Sequence, residues 1–166
     1  QRLRAAKREA EEYERIDKIW HFEKYPQELP FCVLITGINN NAIYRIEYNL
    51  NSVFQQNYSN YFVFIVNDAS TDTVTKYIAN THFYDIDKNT YIYIENEVRK
   101  TAVENFYIGN HNYCSPDSIT LTLDADDELL GKNAIKIFNA AYQSKKSGVI
   151  YSDSIWYNQI HDIILL

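Results

Sequence analysis

The chain has 166 residues, 46% of them hydrophobic and 23% charged, with a formal net charge of −6. That length favours one domain with a real core, and the balance is globular rather than disordered. The acidity argues against a general binder of nucleic acid or anionic membrane, so any phosphate ligand needs positive charge supplied locally, by a cation or a helix start.

Residues 1–24 read as a separate helix. Leu3, Ala6, Ala10, Tyr13, Ile16 and Trp20 recur at three- and four-residue steps and draw one apolar stripe. Glu11–Arg15 and Glu14–Lys18 add pairs at i,i+4 spacing. Such a helix packs on its own domain or on a protein partner. Pro26 and Pro30 bracket a linker over 25–30, and residues 31–166 form the main domain. Phe31–Thr36 is an apolar run of buried-strand length. Gly37 and Asn39–Asn41 break it, and Ala42–Gln56 returns to helical spacing through Ile43, Ile46, Leu50 and Val53/Phe54. Tyr61–Val66 is a second buried strand, followed by Asn67–Asp72 and a short helix over Val74–Ala79. Tyr91–Ile94 is a third strand, followed by a helix over about 99–112. Ile119–Leu123 is a fourth, with a helix near 132–143 behind it. Gly148–Tyr151 and Ile155–Tyr157 read as short strands. Ile163–Leu166 ends the chain on an apolar note, like a cut chain or a strand awaiting a partner. Strand and helix alternating with short loops predict an α/β, Rossmann-like, mostly parallel sheet flanked by helices.

Two cysteines, Cys32 and Cys114, make no disulfide framework in a chain of this length, and both are expected to be reduced. No apolar stretch is long enough to span a bilayer, and no signal peptide is visible. The sequence contains no Met, so residue 1 is not a natural start, and the lack of a visible anchor or targeting segment says little.

The chemistry is concentrated after Leu123, where Asp124, Asp126, Asp127 and Glu128 fall within five residues. Acids at the carboxyl end of a strand lie where open α/β sheets place their ligands. In extended chain Asp124 and Asp126 would share a side, and adjacent carboxylates are tolerated when a hard divalent cation neutralises them. The plainer alternative is that these acids cap or precede the helix that follows, or are simply solvated. An EF-hand loop fits poorly, with Leu129 at its sixth position and Ile135 at its twelfth. Three polar patches follow strands, Thr36–Asn40, Asn67–Asp72 and Asp124–Glu128, and in a parallel sheet all three converge on one edge.

Taken in order, these segments resemble the GT-A-fold glycosyltransferases of the family 2 group over about 31–157. Val33–Asn39 is similar to the family's first strand and base-contacting turn. Ser52–Tyr58 is similar to "S-x-L-x-Q-x-Y". Phe64–Asp72 is similar to "I-V-V-D-D-G-S-T-D". Leu123–Asp127 is similar to the metal-binding "L-D-A-D-D", a D-x-D motif. The resemblance implies the nucleotide-sugar-binding half of a GT-A domain, truncated at its C-terminus, with a UDP-sugar as the leading donor and an unidentified hydroxyl acceptor. It assigns Thr36, Asn39, Asp68, Arg99 and Asp126 to the nucleotide, with Asp68 accepting from a pyrimidine imide. It assigns Asp124, Asp126 and Asp127 to a Mn²⁺ or Mg²⁺ ion that bridges the diphosphate. Arg99 and Lys100 read equally as a basic nucleotide contact or a solvated helix start. The implied reaction is inverting sugar transfer. The chain departs from the pattern at Ile38, at Asn67 in place of an acid, at Ala69 in place of Gly, and around Asn96–Asn105, where Glu104-Asn105 stands where Arg-Asn would be sought.

Inversion needs a carboxylate to deprotonate the acceptor, which the family supplies downstream of this chain. Asp153 comes too early and reads as a loop acid, and His21, His82, His111 and His161 show no metal spacing, so no general base is named. The alternative reading is a non-catalytic GT-A-like scaffold or subunit of a larger assembly, docking through residues 1–24. No G-x-G-x-x-G or G-x-x-x-x-G-K segment supports a dinucleotide or P-loop site. The compartment is left open between the cytoplasm and, if an anchor has been removed, the Golgi lumen.

Overall fold

Strand β1 (Phe31–Ile38) is buried along nearly its whole length, which is what the centre of a parallel sheet requires. A computed structural model describes residues 2–38, 45–71, 76, 86–87, 89–145, 148–151, 155–157 and 163–165. In chain order they form α1 (Arg2–Trp20), a 3-10 turn (Phe22–Lys24), β1, α2 (Ile46–Phe54), β2 (Tyr61–Asn67), β3 (Tyr91–Glu95), α3 (Ala102–Asn112), β4 (Ile119–Asp124), α4 (Ala134–Lys145), β5 (Ile155–Tyr157) and β6 (Ile163–Leu165). The first four strands make one parallel sheet in the order β3-β2-β1-β4, while β5 and β6 pair antiparallel with each other.

Alternation along β1 serves two cores. Phe31, Val33 and Ile35 cluster with Val63, Ile65 and Leu123, and with Ile46, Leu50 and Val53 of α2 and Ile135 of α4. Cys32 and Leu34 cluster with Phe64 and Val66, and with Phe106 and Ile108 of α3. Each large side chain so buried contributes roughly 1.5–3 kcal/mol. α3 lies close to the sheet because Gly109 carries no Cβ: one placed there would meet Phe64 at 2.6 Å. Thr101 caps α3, its hydroxyl accepting from the Glu104 N–H at 3.1 Å, as a Thr-x-x-Glu helix start predicts.

The described packing of α1 involves residues of its C-terminal half. Tyr13, Ile16 and Trp20 are half-buried, whereas Ala10 is exposed. The Tyr13 ring meets Phe22 at 6.0 Å, and Lys136 of α4 reaches its hydroxyl at 3.5 Å. His21, at φ 50, ends the helix in the left-handed region.

Several expectations change. β1 does not stop at Gly37. It passes through a bulge, with Ile35 opposite Ile65 but Ile38 opposite Asn67, and Gly37 supplies the φ of +84 at that point. Gly148–Tyr151 is not a strand; Val149 and Tyr151 are exposed and no strand pairs with them. Ile163–Leu165 does find a partner, in β5. The helices expected from about 99 and 132 begin at Ala102 and Ala134, and the short helix over Val74–Ala79 lies outside the described residues apart from Lys76. The cysteines are corrected outright. Cys32 and Cys114 are joined in a disulfide, because packing α3 against β1 brings their Cα atoms to 5.7 Å, within bonding reach. Their separation of 82 residues along the chain gave no hint of this. Among the described residues no helix is long and apolar enough to cross a membrane.

Candidate nucleotide site at the carboxyl rim of the sheet

In the order β3-β2-β1-β4 the chain moves outward from β1 to β2 and β3, then returns to the other side of β1 for β4. The topological switch therefore lies between β1 and β4, and the crevice beyond their carboxyl ends is where such sheets take ligands. Thr36 and Asp124 pair across that switch. The loops beyond are stitched together by backbone bonds: Ala125 N–H to Thr36 O at 2.9 Å, Asp68 N–H to Ile38 O at 3.0 Å, and Asn96 N–H to Asn67 O at 2.9 Å. With neighbouring strands about 4.8 Å apart, the ends of β2 and β4 lie roughly two strand spacings from each other. The described parts of the three polar patches expected to share one edge, residues 36–38, 67–71 and 124–128, do share it.

Six buried polar side chains gather around this rim. Thr36, Asn49, Asn67, Asp68, Ser70 and Asn105 are all at least nine-tenths buried, and buried polarity is costly unless bonded. Asp68 Oδ1 accepts from Asn96 Nδ2 and from the Lys100 N–H, both at 2.8 Å. Burial alone would push its carboxyl up. The Lys100 and Asn96 bonds and the Arg99 charge outweigh that and hold it below the usual carboxylate range. Asp68 is thus an ionised acceptor, fixed in orientation by the start of α3. Asn96 Nδ2 also donates to Asn105 Oδ1 at 2.9 Å. The Asn96–Asn105 segment, where the chain departs from the family pattern, thus holds an amide network that braces Asp68.

Asn67, which stands where the motif has an acid, closes the turn instead. Its Oδ1 accepts from the Ser70 N–H at 2.9 Å, and its Nδ2 donates to the Tyr93 hydroxyl at 3.1 Å. Between them Ala69 sits at φ 57, a left-handed conformation costing an L side chain about 1–2 kcal/mol. The motif's glycine would suit that position, and strain of this kind collects at functional loops.

The acid segment takes a different shape from the one expected. Asp124 ends β4, and the Asp127 N–H donates back to Asp124 O at 3.0 Å. Residues 124–127 therefore form a turn rather than extended chain, and the argument that alternate residues share a side does not apply. Capping fails as well, since α4 starts at Ala134 with no acid in its first turn, whereas the solvated reading agrees with the exposure of these acids. Asp124, Asp126 and Asp127 are all exposed. The Asp127 carboxyl is pushed up by loss of hydration and then by the charges of Asp126 and Asp124, with Arg45 opposing. Oxygen-only donors that repel one another fit a hard divalent cation. Among the described residues, however, no three such side chains are already gathered in metal-binding geometry.

Of the other expected site residues, Thr36 is fully buried, and its hydroxyl has no hydrogen-bond partner among the described residues. Arg99 is exposed beside Asp68. Asn39 lies outside the described residues, as do Asp153, His82 and His161. His111 is exposed on α3, its Nδ1 at 3.0 Å from the Tyr107 carbonyl.

Further residues of the site lie on α2 and the turns at its ends; Ser52 and Gln56 stood in the S-x-L-x-Q-x-Y segment without a role, and Arg45 and Asn49 were passed over. Arg45 Nη1 donates to Asp126 O at 3.1 Å, and Asn49 Nδ2 donates to Asp124 O at 2.8 Å and Asp127 O at 2.7 Å. Ser52 Oγ accepts from the Leu129 N–H at 3.0 Å. Gln56 Nε2 donates to Gly131 O at 2.7 Å, while its Oε1 accepts from the Ile135 N–H at 3.1 Å. Positions 45, 49, 52 and 56 make one helical stripe. The signal was present as a polar stripe beside the apolar one.

A parallel sheet with its switch between β1 and β4, an ionised Asp68 and an acid turn facing the same rim define a GT-A-type nucleotide-binding fold. The chain belongs to glycosyl transferase family 2, whose model matches residues 33–155. No curated protein sequence matches it. Among solved structures it is similar to Staphylococcus aureus TarS in complex with UDP-GlcNAc, at 21% identity and a TM-score of 0.55, over 70% of this chain and 32% of that one. It is also similar to the mannosyltransferase PcManGT of Pyrobaculum calidifontis in complex with GDP-Man and Mn²⁺, at 16% identity and a TM-score of 0.55, over 74% of this chain and 38% of that one. The chain thus spans about a third of the length of these structures, and at such identities the likeness speaks to fold.

Proposed function

We propose that this chain is the donor-binding half of a glycosyltransferase, taking a nucleoside diphosphate sugar through a divalent cation for inverting transfer to a hydroxyl acceptor. The observation that carries the reading is the pairing of Thr36 with Asp124 across the switch point, which sets the Asp68 turn and the acid turn along one rim.

In this reading Asp68, ionised and oriented, accepts from the imide N–H of a uracil, and the exposed Arg99 supplies positive charge beside it. Asp126 serves the ribose or the cation. Asp124, Asp126 and Asp127 hold Mn²⁺ or Mg²⁺, as the donor chemistry of that turn supports. When bound, the cation supplies Lewis-acid stabilisation of the departing diphosphate. The acid turn keeps its carboxylates exposed, so they meet the diphosphate without refolding the strand behind them. The base that deprotonates the acceptor is assigned to no residue of this chain. PcManGT with GDP-Man and Mn²⁺, and TarS with UDP-GlcNAc, lend support by fold.

Calorimetry with UDP and with GDP, each with and without Mn²⁺, tests the proposal. Binding that strengthens with Mn²⁺, and an increment abolished by Asp126→Ala, supports a donor site; stronger binding of UDP than GDP supports the uracil contact. Heat-silent titrations with every nucleoside diphosphate favour the second reading, a non-catalytic scaffold docking a protein partner through residues 1–24. The ungathered carboxylates among the described residues are the observation on that side.

A further inference from the structure

We infer that Asn49 is a positioning residue for the acid turn. From α2 it staples both ends of that turn, so that the backbone carrying Asp124, Asp126 and Asp127 keeps one shape and only their side chains need to swing to gather a cation. The inference rests on the donor-site reading above and adds to it a second, buried layer behind the acids.

Asn49 is fully buried between Ile46, Leu50 and Val53 on a helix that otherwise packs into the main core. Both of its amide bonds go to backbone carbonyls, at Asp124 and Asp127, and those residues are the two ends of the turn closed by the Asp127 N–H. Its Oδ1 is buried with no partner among the described residues. The orientation is not interchangeable, since a flipped amide would set its oxygen against two carbonyl oxygens. A position serving only to fill the core would take a side chain with no polar atom left unpaired. Asn49 accepts that penalty and in return fixes one turn, the one that carries the acids.

The rest of the stripe acts on the same loop. Arg45 sets a guanidinium group beside the carboxylates through its bond to Asp126 O, Ser52 anchors Leu129, and Gln56 ties Gly131 to the start of α4. Three like charges on one short turn push it open. A buried amide bonded to both of its ends resists that, and buried partners behind metal ligands characteristically control metal affinity.

The test uses the whole chain and Mn²⁺ itself as the probe. Free Mn²⁺ is followed by electron paramagnetic resonance in the presence of UDP, and UDP binding without metal is measured in parallel. Asn49→Leu keeps the branching at Cγ, with bulkier methyl groups, and removes the amide; Ser52→Ala, a gentler loss in the same stripe, serves if the first variant folds poorly. The expected result is a 10- to 100-fold weaker Mn²⁺ affinity for Asn49→Leu, a smaller loss for Ser52→Ala, and metal-free UDP binding unchanged in both. A purely structural role would weaken the two kinds of binding together. That outcome, or unchanged Mn²⁺ affinity in a folded variant, overturns the inference while leaving the donor site standing. A wild-type chain that takes up no Mn²⁺ with any nucleoside diphosphate overturns the donor-site reading, and this inference with it.

Discussion

Replacing Gly109 by alanine sets two effects of opposite sign against each other. In an exposed helix the change is favourable by about 1 kcal/mol. In α3 the added Cβ would lie 2.6 Å from Phe64 Cδ1, 2.8 Å from its Cε1 and 3.1 Å from Leu34 Cδ2, against an ordinary carbon–carbon contact of about 3.5–4.0 Å. The helix must retreat by about 1 Å, or the Phe64 ring must move. Neither is easy. Phe64 is fully buried and stacked on Tyr113 at 4.9 Å, and Cys114, just past the end of α3, is bonded to Cys32 of β1. Overpacking of this kind costs about 1–3 kcal/mol, and a constrained site falls in the upper part of that range. The net expectation is a loss of about 1–2 kcal/mol, or roughly 3–6 °C in Tm for a domain of this size. Urea unfolding followed by circular dichroism measures it. Phe64→Leu in the same chain should absorb part of the clash, so that the double variant loses less than the sum of the singles. A Gly109→Ala chain as stable as the wild type, or strictly additive losses, would refute the close-approach argument. The consequence reaches the site, because the N–H of Lys100, just ahead of α3, holds Asp68.

Ala69→Gly relieves the left-handed strain at φ 57, partly offset by the greater freedom of glycine in the unfolded chain; a gain of about 0.5–1 kcal/mol in chemical denaturation is expected, and a loss would mean the turn is unstrained. Asp127→Asn should make the metal-free protein slightly more stable, by roughly a few tenths of a kcal/mol, because the Asp127 carboxyl is pushed up and its charged form opposes folding at neutral pH. If the donor site is as proposed, saturating Mn²⁺ and UDP should stabilise the wild type by about 2.7 kcal/mol at a hundredfold excess over Kd, and the same variant should lose that gain. Asp68 has the opposite sign. Its folded pKa lies below the ordinary value of 3.8, so its contribution is present above that pH and drains away as the pH falls through the depressed value. Stability measured across the acid range should show that slope in the wild type and lose most of it in Asp68→Asn.

Periodicity made the sheet legible. Runs such as Phe31–Thr36 and Tyr61–Val66 have to be central strands because they are apolar on both faces, and the helices between them follow from spacing. The acids after Leu123 were equally visible, but their shape was not. Whether Asp124–Asp127 runs extended or turns depends on a hydrogen bond to Asp124 O and on Asn49 beneath it, and Asn49 lies 75 residues away from Asp124. Ser52 and Gln56 were legible as letters of the S-x-L-x-Q-x-Y segment and the polar stripe through Arg45 and Asn49 was there to be seen, but nothing local said what it would bond to. The Cys32–Cys114 bond was illegible for a related reason: it is set by how closely α3 approaches β1, which depends on Gly109 and Phe64. Ala69 is the reverse case. The sequence marked it as standing in place of glycine, and the backbone there has the positive φ that glycine would accept.

The most direct test is a crystal structure with Mn²⁺ and UDP, with the metal located by its anomalous signal. The account predicts a single strong peak coordinated by carboxylates of the Asp124–Asp127 turn and by the diphosphate, with the uracil ring against Asp68. A nucleotide bound away from the β1/β4 switch, or a cation that leaves those carboxylates untouched, would contradict it.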